Sequence, residues 1–241
     1  MANWSGFYIG ANAGFGWGQA EFDAVNGTVF PAYNDGTAVP AGAGTLAATK
    51  KQDSAFIGGA QAGYGWQMQQ WVFGVEGDIS GTDLKIDATT TASPSGASRP
   101  TTVRGDYTAE FGWLGSLRAK AGIANGRFLY YVTGGLAYAE TELHTQFRST
   151  NPAGVTPLSS TGPITRDIAD RIGWTAGVGA AWALTEMVSI GAEYRHTSLG
   201  EEAFNIGDTD STLASLPDLA TNVALELDQV MLKVNFRFMG P

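Results

Sequence analysis

The chain has no cysteine. That excludes a disulfide framework and any thiolate nucleophile or metal ligand. No run of about 18 apolar residues occurs, so no transmembrane helix is expected. Lys and Arg number only 14 against 23 Asp and Glu, for a formal net charge of -9. Nucleic-acid binding needs clustered basic residues, so no nucleic-acid partner is expected. Histidine is scarce, with only His144 and His196. No metal-ligand set and no cofactor motif is present, so neither a metal nor a cofactor is expected. Gly-x-Ser-x-Gly is absent, and nothing positions a Ser, His and Asp trio. The chain therefore reads as a non-enzyme. The Gly-x-Gly runs near the start sit inside an alternating segment with no helix after it, which excludes a nucleotide fingerprint.

What the sequence does have is residue-by-residue alternation. Phe7, Ile9, Ala11, Ala13, Phe15 and Trp17 alternate with Tyr8, Gly10, Asn12, Gly14, Gly16 and Gly18. Successive side chains of a strand point to opposite faces, so one face is apolar and the other small or polar. About eight such segments occur. The last carries Val230, Leu232, Val234, Phe236 and Phe238 on one face. Many of the 33 glycines fall on the opposite faces of these segments, so compositional disorder is not expected. A spanning strand needs only about 9–11 residues, half of which can be polar. The pattern predicts an all-β fold: an eight-stranded, antiparallel, up-and-down transmembrane β-barrel with lipid outside. At 241 residues it is expected to be one domain, with the tail 239–241 outside the last strand.

The segments lie at about residues 7–19, 55–68, 71–80, 107–120, 128–143, 171–184 and 188–195, with the eighth following residue 222 and ending on 230–238. Their connections alternate long and short. Four long ones cover about 21–53, 83–106, 144–169 and 199–222, and three tight turns separate the rest. Only Gln69 and Gln70 divide the second and third segments, which forces an antiparallel hairpin. Bacterial outer-membrane barrels have short periplasmic turns and longer extracellular loops. The predicted arrangement is four long extracellular loops and three short periplasmic turns. A soluble lipocalin-type barrel would point its apolar face inward. Here the faces bearing Glu, Arg and Lys also carry the glycines that let a narrow interior fit.

Two residue sets follow from the facings. Glu76, Asp78, Glu110, Arg118, Lys120, Glu140, Arg171, Glu193, Arg195, Lys233 and Arg237 are expected inside as a charge network. Trp4, Phe7, Trp17, Trp66, Trp71, Trp113, Trp174, Trp182, Tyr194 and Phe238 are expected in aromatic girdles. The segment 128–143 is ambiguous. Tyr130, Val132, Leu136 and Tyr138 compete with Leu129, Tyr131, Ala137 and Ala139 for the lipid face. The second set is preferred, because it leaves Glu140 and Glu142 facing in. Likewise Ala109 and Phe111 are expected outside, on one face with Trp113.

The stretch Asn3-Trp4-Ser5-Gly6-Phe7-Tyr8-Ile9-Gly10-Ala11-Asn12-Ala13-Gly14-Phe15-Gly16-Trp17-Gly18 resembles the first strand of the small surface barrels of alphaproteobacteria, the porin-family or opacity-like proteins. Tyr131–Tyr138, Gly191–Thr197 and Val234–Phe238 resemble them too. The resemblance implies an outer-membrane location in a Gram-negative bacterium. Its implied partners are outer-membrane lipid and lipopolysaccharide, with the barrel-insertion machinery during assembly. That family usually ends on its terminal aromatic residue, whereas here Met239-Gly240-Pro241 follows Phe238. Some relatives are described as hemin-binding, which makes His144 and His196 candidate ligands. With no secretory signal before the first strand, an exported chain would be the mature or recombinant form.

The expected role is structural and surface-interactive, with the interior charges acting as a plug. A narrow pore for small solutes or ions is the alternative. A self-associating array is a third reading, since Ala60, Ala62, Ala119, Ala137 and Ala180 would let barrels approach closely and make a homo-oligomer or contact with other membrane proteins. The acidic segment with Glu201, Glu202, Asp208, Asp210 and Asp218 reads as a solvated loop. Divalent bridging to lipopolysaccharide is its functional alternative.

Overall fold

The computed structural model describes residues 2–22, 25–26, 45–46, 49–92, 102–150, 165–205 and 220–238. The tail 239–241 and Asp208, Asp210 and Asp218 lie outside these residues. The strands are β1 (Gly6–Phe22), β2 (Val25–Asn26), β3 (Thr45–Leu46), β4 (Thr49–Met68), β5 (Trp71–Thr82), β6 (Lys85–Ala92), β7 (Thr102–Asn125), β8 (Phe128–Thr150), β9 (Thr165–Ala183), β10 (Val188–Asn205) and β11 (Ala220–Arg237). Strand β6 continues β5 after the break at Asp83 and Leu84, and both pair with β7. The remaining long strands follow in the order β5-β4-β1-β11-β10-β9-β8-β7, and β5 closes on β7. The result is an eight-stranded antiparallel barrel, with β2 and β3 as a small separate ribbon.

Closure satisfies the backbone groups of the spanning region within the sheet, which lipid requires. The outward residues in mid-barrel are small or aliphatic: Ala11, Ala13, Ala60, Ala62, Leu117, Val132, Val178, Ala192 and Leu232. Aromatic residues stand on either side of them. Phe7, Trp66, Trp71, Phe128, Trp182 and Phe238 face outward toward the tight turns. Phe15, Trp17, Phe56, Trp113, Trp174 and Tyr194 face outward toward the long connections. The ring pair Trp113 and Tyr138 bridges β7 and β8 at this second level, with centroids 5.1 Å apart.

Two of the tight turns open on a left-handed residue, Gln69 at φ 58° and Gly126 at φ 64°. That backbone twist suits two-residue hairpins.

The strands run well past the membrane into segments the sequence reads as loop. Strand β7 has 24 residues and β8 has 23, about twice what spanning requires. In this outer part the barrel splits. Strand β4 pairs with β5 only from Ile57 onward, and residues 49–56 pair with β1 alone among the described residues. Strand β9 pairs with β10 only from Trp174, opposite Ser198, after which β10 shifts register at Gly200. Two four-stranded halves result, β10-β11-β1-β4 and β6-β7-β8-β9. Alternation weakens there because water, not lipid, bathes the outer face, so the hydropathy pattern does not mark the strands.

Candidate functional site

The interior is layered, and its centre is a charged belt. Glu76 on β5 and Glu193 on β10 are its two buried carboxylate hubs. Glu76 Oε1 accepts from Arg118 Nη2 at 2.6 Å and Lys233 Nζ at 2.7 Å. Its Oε2 accepts from Lys120 Nζ at 2.6 Å and the Tyr8 hydroxyl at 2.7 Å. Glu193 Oε1 accepts from Arg118 Nη1 at 2.5 Å and Arg195 Nη2 at 3.2 Å. Its Oε2 accepts from Lys233 Nζ at 2.6 Å and the Tyr131 hydroxyl at 3.0 Å. Asp78 completes the set, accepting from Arg118 at 2.9 Å, Arg195 at 3.0 Å and the Ser116 hydroxyl. Arg118 thus ties three carboxylates together. Such shared pairing is what makes ions tolerable out of water.

Glycine makes room for the two tyrosines. Gly63 lies opposite Tyr8, and a Cβ there would meet the tyrosine ring at 2.5 Å. Gly179 lies opposite Tyr131, and a Cβ there would meet that ring at 2.6 Å. Each ring occupies the missing side chain's space and carries its hydroxyl to a hub glutamate.

Apolar layers flank the belt. Toward the long connections, Leu84, Ile86, Phe111, Leu114, Leu225, Leu227 and Met231 pack as one buried cluster with Ala20 and Ile57. Toward the tight turns, Trp4, Val72, Leu129, Tyr131, Ala181 and Ala183 form a second. The sequence reading foresees only a polar interior. The inward leucines of β11 were detectable there by parity with Lys233 and Gln229.

Of the expected interior charges, Glu76, Asp78, Arg118, Lys120, Arg171, Glu193, Arg195, Lys233 and Arg237 lie inside. Arg237 sits apart, toward the tight turns, with its Nη1 donating to the Asn3 carbonyl at 2.5 Å. Arg171 lies toward the long connections, with Nη1 3.5 Å from the Gly200 carbonyl.

Glu110 and Glu140 are corrections, for both face outward. On β7, Gly112 and Trp113 together oppose the single Glu140 of β8. This bulge inverts the facing beyond it. Phe111, 3% exposed, and Ala109 therefore turn inward and Glu110 outward. Glu110 instead pairs with Lys85 at 2.8 Å on the water-exposed surface and holds the Lys85 pKa above its usual value. On β8 the alternative register holds. Leu129, Tyr131, Ala137 and Ala139 are buried, whereas Tyr130, Val132 and Leu136 are exposed. Glu140 accepts from Trp113 Nε1 at 3.2 Å on the outer face. Glu140 and Glu142 sit beyond the lipid-facing band, where an outward carboxylate meets water, so neither needs an inward position. Ala137 consequently leaves the set of lipid-facing alanines.

Trp4 is the third correction. It is 4% exposed and belongs to no girdle. Gly6, at φ 118°, turns residues 2–5 under the barrel mouth. There Trp4 N donates to Gln67 Oε1 at 2.7 Å, and its ring lies 4.7 Å from Arg237 Cζ. The other nine expected girdle residues, Phe7, Trp17, Trp66, Trp71, Trp113, Trp174, Trp182, Tyr194 and Phe238, are exposed on the outer face.

His144 and His196 stand on β8 and β10 with β9 between them, each against a carboxylate. His144 Nε2 is 2.7 Å from Glu142, and His196 Nδ1 is 2.8 Å from Asp228. They do not converge on one ligand. Glu201 and Glu202 lie on β10.

Comparison with known proteins agrees with this geometry. Residues 1–238 match the family model described as outer membrane protein beta-barrel domain. The chain is 30% identical over 217 residues to the 31 kDa outer-membrane immunogenic protein of Brucella melitensis, covering 87% of this chain and 76% of that protein. It is 26% identical over 157 residues to the 22 kDa outer membrane protein of Rhizobium leguminosarum, covering 63% of this chain and 56% of that one. Among solved structures it is similar to OprG of Pseudomonas aeruginosa, with a TM-score of 0.48 and 13% identity, covering 98% of this chain and 99% of that one. The chain belongs to the outer membrane protein beta-barrel family and resides in the outer membrane of a Gram-negative bacterium.

Proposed function

We propose that the protein is a sealed barrel whose work is done at its outer face, without transport and without catalysis. The observation that carries this reading is the stack of apolar, charged and apolar layers inside. An ion entering from the long-connection side would first meet the packed Leu84, Ile86, Phe111, Leu114, Leu225 and Leu227, with buried Arg171, Thr175 and Thr197 on neighbouring strands. It would then meet a belt whose carboxylates are saturated with donors. Eight strands give a lumen just wide enough for side chains to fill. The outward reach of β7 to β11 adds folded β structure beyond the lipid. This suits contact with lipopolysaccharide or with surfaces outside the cell. The Brucella relatives are named immunogenic, as a protein displayed at the surface would be.

The narrow pore is the alternative this reading displaces, and a swelling assay separates the two. Liposomes carrying the refolded barrel are diluted into isotonic arabinose. A sealed barrel leaves the turbidity at the protein-free rate. Swelling that rises with the amount of folded protein would establish a solute path and overturn the reading.

A further inference from the structure

The buried charge of this barrel is unbalanced toward the positive. Among the described residues, the belt holds three carboxylates, Glu76, Asp78 and Glu193, against four cations, Arg118, Lys120, Arg195 and Lys233. A fifth cation, Arg237, is buried beneath them toward the tight turns. Every carboxylate oxygen of the belt is already engaged. Both oxygens of Glu76, of Glu193 and of Asp78 already accept from a cation or a hydroxyl. The donors are not exhausted. An ammonium group carries three N–H donors. Lys120 directs hydrogen bonds to two acceptors, the Tyr8 hydroxyl and Glu76, and Lys233 to two, Glu76 and Glu193. Arg237 Nε and Trp4 Nε1 are buried with no hydrogen-bond partner at all.

These donors belong to residues lining one cavity. A space of about 30 Å³ is lined by Trp4, Lys120, Lys233 and Arg237, with Tyr8, Tyr131, Ser189 and Asn235, and no carboxylate borders it. Asn235 Oδ1 already accepts from Gln61 Nε2 at 2.7 Å. The volume suits one water or one ion of similar size. A water must donate two hydrogen bonds as well as accept them, whereas the surplus here is of donors and of positive charge. Buried charge is stable only when paired. We propose that this cavity is a binding site for a small monovalent anion of halide size, held by Lys120, Lys233, Arg237 and the Trp4 indole N–H. The ion would supply the negative charge that the belt lacks. The site does not depend on whether the barrel conducts.

Bromide tests it, because its anomalous scattering marks its position. Crystals of the unaltered protein are soaked in sodium bromide. The expected result is an anomalous peak inside the barrel, between Lys120, Lys233 and Arg237. In detergent, the thermal midpoint should rise saturably with chloride when sodium gluconate keeps the ionic strength fixed. W4F removes the indole N–H together with the five-membered ring that carries it, and should raise the chloride concentration for half effect several-fold. R237Q should abolish the chloride dependence. A map with no bromide in the cavity overturns the proposal, as does a midpoint that follows ionic strength whatever the anion. The map needs no variant, so a substitution that prevents folding does not weaken the test.

Discussion

Leu232 stands at mid-strand on the lipid face of β11, 67% exposed in the isolated chain, between Ala13 and Ala192 on its neighbours. A charge placed there meets hydrocarbon. Leu232→Arg should lower stability by about 2–4 kcal/mol, measured by reversible unfolding in lipid vesicles. A cost near zero would mean that this face does not meet lipid. The two classes of glutamate make a sharper contrast. Glu76 faces Lys120, Lys233, Arg118 and Tyr8 in a dry interior. Glu76→Gln leaves those cations under-compensated and should destabilise by about 3–5 kcal/mol in the same assay. Glu110 meets only an exposed lysine among the pairings described. Exposed ion pairs contribute little, so Glu110→Gln should leave the unfolding curve unmoved within error. Similar losses at both positions would return Glu110 to the interior.

At the scale of the strand, the bulge at Gly112 and Trp113 decides which side chains enter the barrel. Up to Leu114 from the tight-turn end, strict alternation predicts every facing of β7 correctly. Past it, one extra residue inverts them, and nothing in the composition of Phe111-Gly112-Trp113-Leu114 announces the insertion. The facing of β8 was open in the sequence because both of its faces carry Tyr and Leu. Keeping Glu140 inside is sound only if Glu140 lies at membrane depth, and depth is set by strand length. Strand length in turn was hidden, since outside the lipid both faces can be polar. Arg118, Glu193 and Lys233, by contrast, were legible as inward residues because they lie where lipid enforces alternation. The absence of cysteine permits a clean check. Glu140→Cys and Glu110→Cys should react with a membrane-impermeant maleimide applied to intact cells. Phe111→Cys and Ala139→Cys, both in the packed interior, should stay unlabelled until the barrel is unfolded. Labelling of the second pair in place of the first would restore strict alternation through β7.

On the scale of the whole molecule, the barrel is a closed spanning wall around a stack of apolar, charged and apolar layers. The charged layer alone leaves a pore conceivable, since ion-pair networks can rearrange. The packed Leu84, Ile86, Phe111, Leu114, Leu225, Leu227 and Met231 are the observation that favours the proposed seal, because apolar side chains give an ion little to replace its water. Above them the wall divides into two four-stranded halves, β10-β11-β1-β4 and β6-β7-β8-β9. The most direct test is single-channel recording of the refolded barrel in a planar bilayer, with salt concentration and composition varied. The proposed seal predicts silence at every salt, even when heat-modifiable electrophoretic mobility shows the inserted protein to be folded. Stable, ion-selective steps from that same folded protein would contradict it.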